Sequence, residues 1–289
     1  MKEGMQSVEN NRKLAETRKG LFVGLCTTDI VYYSDTFPEE NKKIKVNDYA
    51  RYIGGPAANA AITYALLGGD ATLATCLGNS LESKVMIEEL QSYGVNVLNY
   101  SMQNILPNTA SILVSQNGER TIISGQHAFI SEKQYPLDAY DFVLFDCNQQ
   151  EISLDILKQC SDKMVVLDAG SWKPNIEQFL QRADIVIASE VFANPQGKHV
   201  FELTQCQTAY KVMTRGDRSV LYEKEEIPVP QVKAVDTLGA GDIFHGAFCF
   251  AYFHKKKTVK DSLEFAVKIA SESVKYKGPR EWIEKMHSL

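Results

Sequence analysis

The sequence of 289 residues predicts an α/β protein built on a mainly parallel central sheet, with helices covering both of its faces. Short, apolar, β-rich runs alternate with helical patterns from Leu21 onward, and this alternation is typical of parallel strands joined by crossover helices. Hydrophobic residues make up 44% of the chain and charged residues 23%, so the chain has ample apolar surface to form a core.

The strands of this sheet are predicted from apolar runs, the first of which is LFVGLC, beginning at Leu21. Further strands are expected at 71–78, 142–145, 164–168, 184–188 and 210–214. A helix is predicted over Ser80–Tyr93, with Asn79 or Ser80 as its cap and Gly94 as its stop. Shorter helices are expected near 151–160 and 176–183.

Two stretches, about 30–53 and 95–125, break the alternation because they hold β-rich runs with no helix between them. The second stretch contains Asn117-Gly118, a strong hairpin signal, between two such runs. We therefore predict one domain, 19–289, that carries a small β-sheet as a lid, an interface or both. Residues 1–18 are polar and lack an apolar period, so we expect a flexible N-terminal extension.

Charge and motif content exclude several classes of function. The net charge is −5, from 31 basic and 36 acidic residues, which disfavours nucleic acid as a partner. No apolar run reaches the roughly 18 residues that cross a bilayer, and the N-terminus has no apolar core, so we expect a cytoplasmic protein without a membrane partner. The six cysteines form no CxxC pair and the five histidines no HExxH, so a zinc enzyme is disfavoured.

The segment DTLGAGD, Asp236 to Asp242, is the strongest chemical signal, and a good helix is predicted after it, over 243–254. Glycines at a helix start let the backbone approach a ligand closely, and the free N–H groups there attract phosphate. A carboxylate beside such a site suits a base that takes a proton from an attacking hydroxyl. The alternative interpretation is a helix start with an acidic capping residue.

The segment GGPAANAA, Gly54 to Ala61, is the second signal. A double glycine leads into a helix of small residues, with Pro56 near the first helical position and Asn59 in the first turn. This pattern fits a backbone and amide cradle for a polyhydroxylated ligand, or simply a tight turn before a closely packed alanine helix. Neither a Walker motif nor GxGxxG is present, which disfavours a P-loop kinase and a dinucleotide enzyme.

Together the two segments resemble the signatures of the ribokinase-like, or PfkB, family of carbohydrate kinases, and the resemblance runs from about residue 21 to residue 280. It implies a three-layer αβα sandwich with a small β-sheet lid, and transfer of the ATP γ-phosphoryl group to a hydroxyl of a small sugar. It places Asp242 as the catalytic base. It places the backbone of Leu238, Gly239, Ala240 and Gly241 as the anion hole.

The same resemblance implies the remaining site residues. Asp29, Gly54, Gly55 and Asn59 match sugar-binding positions, while Arg120 is either a substrate-binding arginine or a solvated lid residue. The positions that match the nucleotide side are Thr214 and Gly216, at the ATP phosphates, and Asp236, beside a monovalent cation such as K⁺. Lys42, Lys43 and Lys45 form either a charged edge strand or a site for an anionic substituent.

This chain departs from the family pattern in three places, one of which is the segment between Ala188 and Tyr210, which looks short. The glutamate of an N-x-x-E motif that organises Mg²⁺ is replaced by Phe192, which leaves Glu190 as the candidate metal residue. The C-terminal segment KYKGPREW lacks the alanine-rich run that is usual near the adenine.

The motif variants favour a ketose or a modified hexose as the acceptor. The alternatives are a nucleoside kinase of the same fold and a catalytically weak sensor of a sugar or nucleotide. Family members often pair through the lid, so a homodimer is expected.

Overall fold

The computed structural model describes residues 17–35, 37–46, 48–115, 120–125, 135–206 and 210–288. Most of the predicted N-terminal extension, 1–16, and the predicted turn at Asn117-Gly118 lie outside these residues. No helix in the described ranges is long and apolar enough to cross a membrane.

A nine-stranded sheet forms the centre of the described chain, as predicted. In chain order its strands are β1 (Lys19–Val23), β4 (Asp70–Thr75), β5 (Val95–Asn99), β8 (Phe142–Phe145), β9 (Met164–Ala169), β10 (Ile185–Ser189), β11 (Tyr210–Arg215), β12 (Arg218–Tyr222) and β13 (Glu225–Ile227). Their order across the sheet is β13-β12-β11-β10-β9-β8-β1-β4-β5, and only the pairings of β12 with β11 and with β13 are antiparallel. The mainly parallel sheet predicted from the sequence is therefore confirmed.

Helices cover the two faces of this sheet in two layers. They are α1 (Pro56–Leu66), α2 (Leu81–Ser92), α3 (Gln150–Gln159), α4 (Ile176–Arg182), α5 (Ala240–Cys249) and α6 (Val259–Ser273). Alternate strand residues point to opposite faces, so Phe22 packs with α1, α2, α5 and α6, whereas Leu21 packs with α3 and α4. Ser80 caps α2 by accepting the amide of Ser83 at 3.2 Å, and Gly94 follows in the left-handed region, as predicted.

A four-stranded sheet, the lid sheet, stands apart from the large one. Its strands are β2 (Thr27–Ser34), β3 (Asp48–Gly54), β6 (Thr109–Ser115) and β7 (Arg120–Gly125), in the order β3-β2-β6-β7. The hairpin predicted around Asn117-Gly118 matches the antiparallel pairing of β6 and β7. The predicted bounds of the insertions need correction, because β5 pairs with β4 in the large sheet and the first lid strand begins at Thr27.

The lid sheet joins the large sheet at a turn that is held by Asp146, a buried residue directly after β8. Its carboxylate accepts the amides of Leu25 at 2.9 Å, Ala57 at 3.1 Å and Asn148 at 2.9 Å. Gly24, at φ +150°, lies against this carboxylate, and a Cβ there would meet Asp146 Oδ1 at 2.0 Å. The start of β2 and the start of α1 are thus tied to one strand end.

Small residues let α1 and α5 approach each other closely. A Cβ at Gly246 would lie 2.4 Å from the carbonyl oxygen of Ala60, so α5 could not keep this spacing with any larger residue. The alanines of α1 are buried in the same contact. This spacing brings the first turns of the two helices, and hence both sequence motifs, to one place.

We predict that Asp146→Ala lowers the free energy of unfolding by about 2–5 kcal/mol, because three backbone amides lose their acceptor in a buried place. Urea denaturation followed by circular dichroism measures the change. Asp138→Ala, which alters an exposed aspartate, is the matched control and should leave the free energy of unfolding nearly unchanged. A loss no larger than that of the control would contradict the structural role of Asp146.

Candidate active site

A pocket of about 310 Å³ lies between the lid sheet and the start of α5. Nine residues predicted from the two motifs and the lid line it: Asp29, Gly55, Asn59, Arg120, Leu238, Gly239, Ala240, Gly241 and Asp242. Apolar side chains of the lid strands, Ala110, Ile112 and Ile122, form part of its wall. The two glycine-rich motifs therefore meet across a single cavity.

The start of α5 presents open backbone amides to this pocket. Gly239 adopts φ +74° as the residue before the helix, a conformation that favours glycine. The amide of Leu238 donates to Asp236 and that of Ala240 to Thr237, whereas the amides of Gly239 and Gly241 bond to no residue that the structure describes. The open donors are thus fewer than the four-residue set predicted from the sequence.

Asp242 lies in the first turn of α5 and faces the first turn of α1. Its Oδ2 atom accepts a hydrogen bond from Asn59 Nδ2 at 2.7 Å. Burial, reinforced by the nearby charge of Asp168, raises the pKa of the Asp242 carboxyl to about 7, although the Asn59 hydrogen bond and His245 oppose the shift. The carboxyl therefore changes its protonation state near neutral pH.

Asp29 enters the pocket from β2, and its carboxylate Oδ1 accepts the hydroxyl of Thr27 at 2.6 Å. Burial raises the pKa of Asp29, while Thr27 and Arg280 lower it. Gly54 packs directly against this carboxylate, since a Cβ at Gly54 would lie 1.9 Å from Asp29 Oδ2. The double glycine of the first motif thus leaves room for an acidic side chain at the pocket wall.

Arg120 reaches the pocket from β7, which favours the ligand-facing interpretation over the purely solvated one. Its Nη1 atom donates to Thr237 Oγ1 at 3.5 Å, so the arginine bridges the lid and the loop before α5. Lys42, Lys43 and Lys45 are exposed and lie in the irregular segment between β2 and β3, so the predicted charged edge strand is wrong.

Three predicted residues, Glu190, Thr214 and Gly216, form a second group at the carboxyl ends of β10 and β11. The amide of Glu190 donates to the carbonyl of Thr214 at 2.9 Å, and Gly216 makes the tight turn after β11 at φ +65°. The Glu190 carboxylate accepts a hydrogen bond from Arg218. None of the three lines the pocket described above.

His245 of α5 contacts the start of its own helix and the strands β9 and β10. Its Nδ1 atom lies 2.7 Å from the carbonyl oxygen of Gly241, and its Nε2 atom lies 3.6 Å from Asp168 Oδ1 and 3.4 Å from the carbonyl oxygen of Ile187. Asp168 and Ile187 belong to β9 and β10, so His245 ties α5 to these two strands.

Asp236 is buried and holds the loop before α5 in place. Its carboxylate accepts the amides of Leu238 at 2.9 Å and Gly278 at 3.0 Å and the hydroxyl of Tyr33 at 3.1 Å. Phe192, which stands where a glutamate was expected, is buried against Trp172 with a ring distance of 5.4 Å. Within the described ranges, no group of three or more His, Cys, Asp or Glu side chains could hold a metal ion.

The sequence model of the pfkB family carbohydrate kinases matches residues 18–286. The chain belongs to this family. As a pfkB family member it is a phosphotransferase with an alcohol group as acceptor.

Relatives of this pfkB family member include two curated proteins of similar length. Ribokinase of Dictyostelium discoideum is 28% identical over 92% of this chain and 98% of that protein. Nucleoside kinase of Methanocaldococcus jannaschii is 26% identical over 80% of this chain and 82% of that protein. The structure of Arabidopsis thaliana ribokinase complexed with ribose and ATP superposes with a TM-score of 0.71 at 22% identity, covering 94% and 99% of the two chains, which shows the shared fold.

Three residues beside the pocket were not found from the sequence of this pfkB kinase. Asp146 directly follows the apolar run FVLF. A carboxylate at the end of a predicted parallel strand is the signal that could have identified it. Asp168, at the end of β9, carries the same signal. No pattern in the sequence indicates its contact with His245. Arg280 lies in the C-terminal segment noted for its departure from the family pattern, and it donates to Asn59 Oδ1 at 2.6 Å.

Proposed function

We propose that the protein transfers the γ-phosphoryl group of ATP to a hydroxyl of a small sugar, with Asp242 as the general base. One observation carries the proposal: the Asp242 carboxylate lies in the same helical turn as the open amides of Gly239 and Gly241, at the floor of a lid-covered pocket. A base and an anion hole are the two protein groups that phosphoryl transfer to an alcohol needs.

The chemistry follows from this arrangement. Asp242 takes the proton of the acceptor hydroxyl, and a base with a pKa of about 7 is well matched to that step near neutral pH. The amides of Gly239 and Gly241, at the positive end of the α5 dipole, donate hydrogen bonds to the oxygens of the transferred group. Arg120, which reaches from the lid to Thr237, helps the lid to exclude water that would otherwise hydrolyse ATP.

The acceptor is proposed to bind between Asp29 and Asp242. The Asp29 carboxylate accepts hydrogen bonds from sugar hydroxyls, Gly55 and Asn59 line the acceptor side of the pocket, and Gly54 leaves room for the Asp29 side chain. A pocket of about 310 Å³ is at the lower end of the usual range for small-molecule sites, which supports a small acceptor. A ketose or a modified hexose remains the preferred acceptor, as the motif variants suggest.

ATP, the phosphoryl donor, is proposed to lie along the carboxyl ends of β9 to β11, with its phosphates toward Thr214, Gly216 and the start of α5. The related Arabidopsis ribokinase binds ATP and ribose together, which supports ATP in this role. Mg²⁺ is commonly held by one or two carboxylates and the nucleotide phosphates. Glu190, whose Oε2 atom already accepts a hydrogen bond from Arg218, would offer its Oε1 atom to such an ion. When bound, Mg²⁺ neutralises charge on the phosphates. Asp236 accepts three hydrogen bonds from residues that the structure describes, and within this part of the chain one carboxylate lone pair is left for a monovalent cation.

A nucleoside kinase is the second candidate, because the pocket has an apolar wall that could receive a base. Ile112 and Ile122 of the lid and Leu238 form this wall, and a nucleoside kinase is among the relatives. An assay of ADP release over a panel of pentoses, ketohexoses, modified hexoses and nucleosides separates the two functions. Tight binding of a sugar by calorimetry without ADP release would instead favour the sensor.

A homodimer through the lid sheet is also proposed. The inner face of this sheet covers the pocket, whereas its outer face carries Tyr49 and Ile123, which are 70% and 71% exposed, beside Ile30, Tyr32 and Leu113. An apolar sheet face of this kind is typical of an interface. A second copy of the chain would cover it.

We predict that Asp242→Asn lowers kcat by about 10²–10⁴, because the amide cannot accept the proton of the acceptor hydroxyl. Steady-state kinetics with the substrate found by the panel measure the loss, and thermal unfolding checks that the fold is kept. The raised pKa also predicts that kcat/KM of the natural protein falls as the pH drops through about 7, where the carboxyl becomes protonated. The residual rate of Asp242→Asn should lack this acid limb, and near-normal turnover of the variant would exclude the base.

We predict that Asp29→Ala raises KM for the acceptor about 10–100-fold and leaves KM for ATP nearly unchanged, because the charged acceptor of the sugar hydroxyls is lost. Glu40→Ala, which removes an exposed carboxylate from the same lid region, is the control and should alter neither constant. Equal effects of Asp29→Ala on both KM values would move Asp29 out of the acceptor site.

We predict that the protein has twice the 32.3 kDa chain mass in solution and that Ile123→Asp halves it, because a charge is placed on the apolar face of the proposed interface. Light scattering coupled to gel filtration measures both masses. Val191→Asp, at an 81% exposed position outside the lid, should leave the mass unchanged. A natural protein that elutes as a monomer would refute the dimer.

A further inference from the structure

We infer that Arg280 is a positioning residue of the active site, which orients the Asn59 amide so that its N–H group holds the Asp242 carboxylate. The inference rests on the proposed role of Asp242 as the base. Arg280 does not line the pocket, and its hydrogen-bonded connection to Asp242 runs through Asn59.

The contacts of Arg280 connect three separate parts of the chain. Its Nη2 atom donates to Asn59 Oδ1 at 2.6 Å and to the carbonyl of Ile53 at 2.9 Å, and its Nη1 atom donates to the carbonyl of Pro279 at 3.0 Å. The guanidinium also lies over the ring of Tyr93, 5.6 Å from its centre. The arginine is therefore fixed on several sides.

This fixed arginine decides which way the Asn59 amide points. A guanidinium has only donors, so the atom that faces it must be the amide oxygen. The amide nitrogen of Asn59 then faces Asp242 Oδ2, which it contacts at 2.7 Å. Without Arg280 the buried amide could turn over and set an oxygen against the carboxylate, which would push Asp242 away from the open amides of α5.

The neighbours of Arg280 brace the same region. Gly278 donates its amide to Asp236, and Pro279 packs against Gly239, where an added Cβ would lie 3.2 Å from Pro279 Cβ. The C-terminal segment of residues 278–280 thus supports both the proposed anion hole, through residues 278 and 279, and the proposed base, through Arg280.

Electrostatics add a second effect of Arg280 on the base. The groups that face Asp242 are Asn59 of α1, Asp146 after β8, Asp168 of β9 and His245 of α5, together with Arg280 itself. The aspartates raise the pKa of Asp242, and the positive charges oppose them. Asp242 raises the pKa of Arg280, and because this attraction is mutual, loss of Arg280 should shift the acid limb of the kcat/KM profile to higher pH, which a purely structural role would not do.

The experiment compares the natural protein with Arg280→Met, Asp242→Asn and the double variant. Arg280→Met should lower kcat by about 10–10², the cost of a misplaced reacting group, with both KM values close to those of the natural protein. The double variant should be no slower than Asp242→Asn alone, because a residue that acts through the base has nothing left to position.

Two further variants keep the result interpretable. Arg182→Met is the matched control, since Arg182 likewise donates to backbone carbonyls, those of Cys160 and Lys163, but on the opposite face of the sheet. It should lose stability without losing kcat. If Arg280→Met does not fold, Arg280→Lys replaces it, and the retained charge should leave the acid limb in place while kcat falls.

The outcomes separate this inference from the proposed function. If Asp242→Asn is slow but Arg280→Met is as active as the Arg182→Met control, or if the two losses multiply in the double variant, the positioning role is wrong and the base stands. If Asp242→Asn itself turns over normally, both the base and the positioning role are wrong.

Discussion

A single buried carboxylate, that of Asp146, fixes where the three segments below the pocket meet. It accepts amides from the turn after β1, from the first turn of α1 and from its own loop after β8. Because each donor belongs to a different segment, no one of them can shift without leaving a buried amide unpaired. The positions of Asp29 on β2 and of Asn59 on α1 both follow from this constraint.

Several buried carboxylates lie close together at the carboxyl edge of the large sheet, and few positively charged side chains lie near them. Asp146, Asp168 and Asp242 lie within electrostatic range of one another, and burial raises the pKa of Asp146 and of Asp242. Lys173 donates to the backbone carbonyl of Asp146 and lowers the pKa of its carboxyl, while Arg280 serves the Asn59–Asp242 pair. Of these three aspartates, Asp242 is the one that lines the pocket beside the open amides of α5, as its proposed role as the base requires.

The sequence predicts those features whose signals are local. The strands, the capped helix α2, DTLGAGD and GGPAANAA were found because period, caps and glycines lie within a few neighbouring residues. Features that depend on distant partners were missed: β5 was assigned to the lid because its place at the sheet edge depends on β4, and the Arg280–Asn59 contact spans 221 residues. Phe192 was recognised as a departure, but only its burial against Trp172 shows that it belongs to the core.

The lid sheet and the C-terminal segment of residues 277–280 both contact the loop before α5, so a movement of the lid would reach the proposed anion hole. Asp236 accepts the Tyr33 hydroxyl from the lid and the Gly278 amide from the C-terminal segment, and Lys277 pairs with Asp48 at 2.8 Å while lying over the Tyr33 ring. Movement of β2 would therefore act on the carboxylate that holds the amide of Leu238. A C-terminal segment that departs from the family pattern can then alter the alignment of Gly239 and Asp242 while the sheet and its helices stay unchanged.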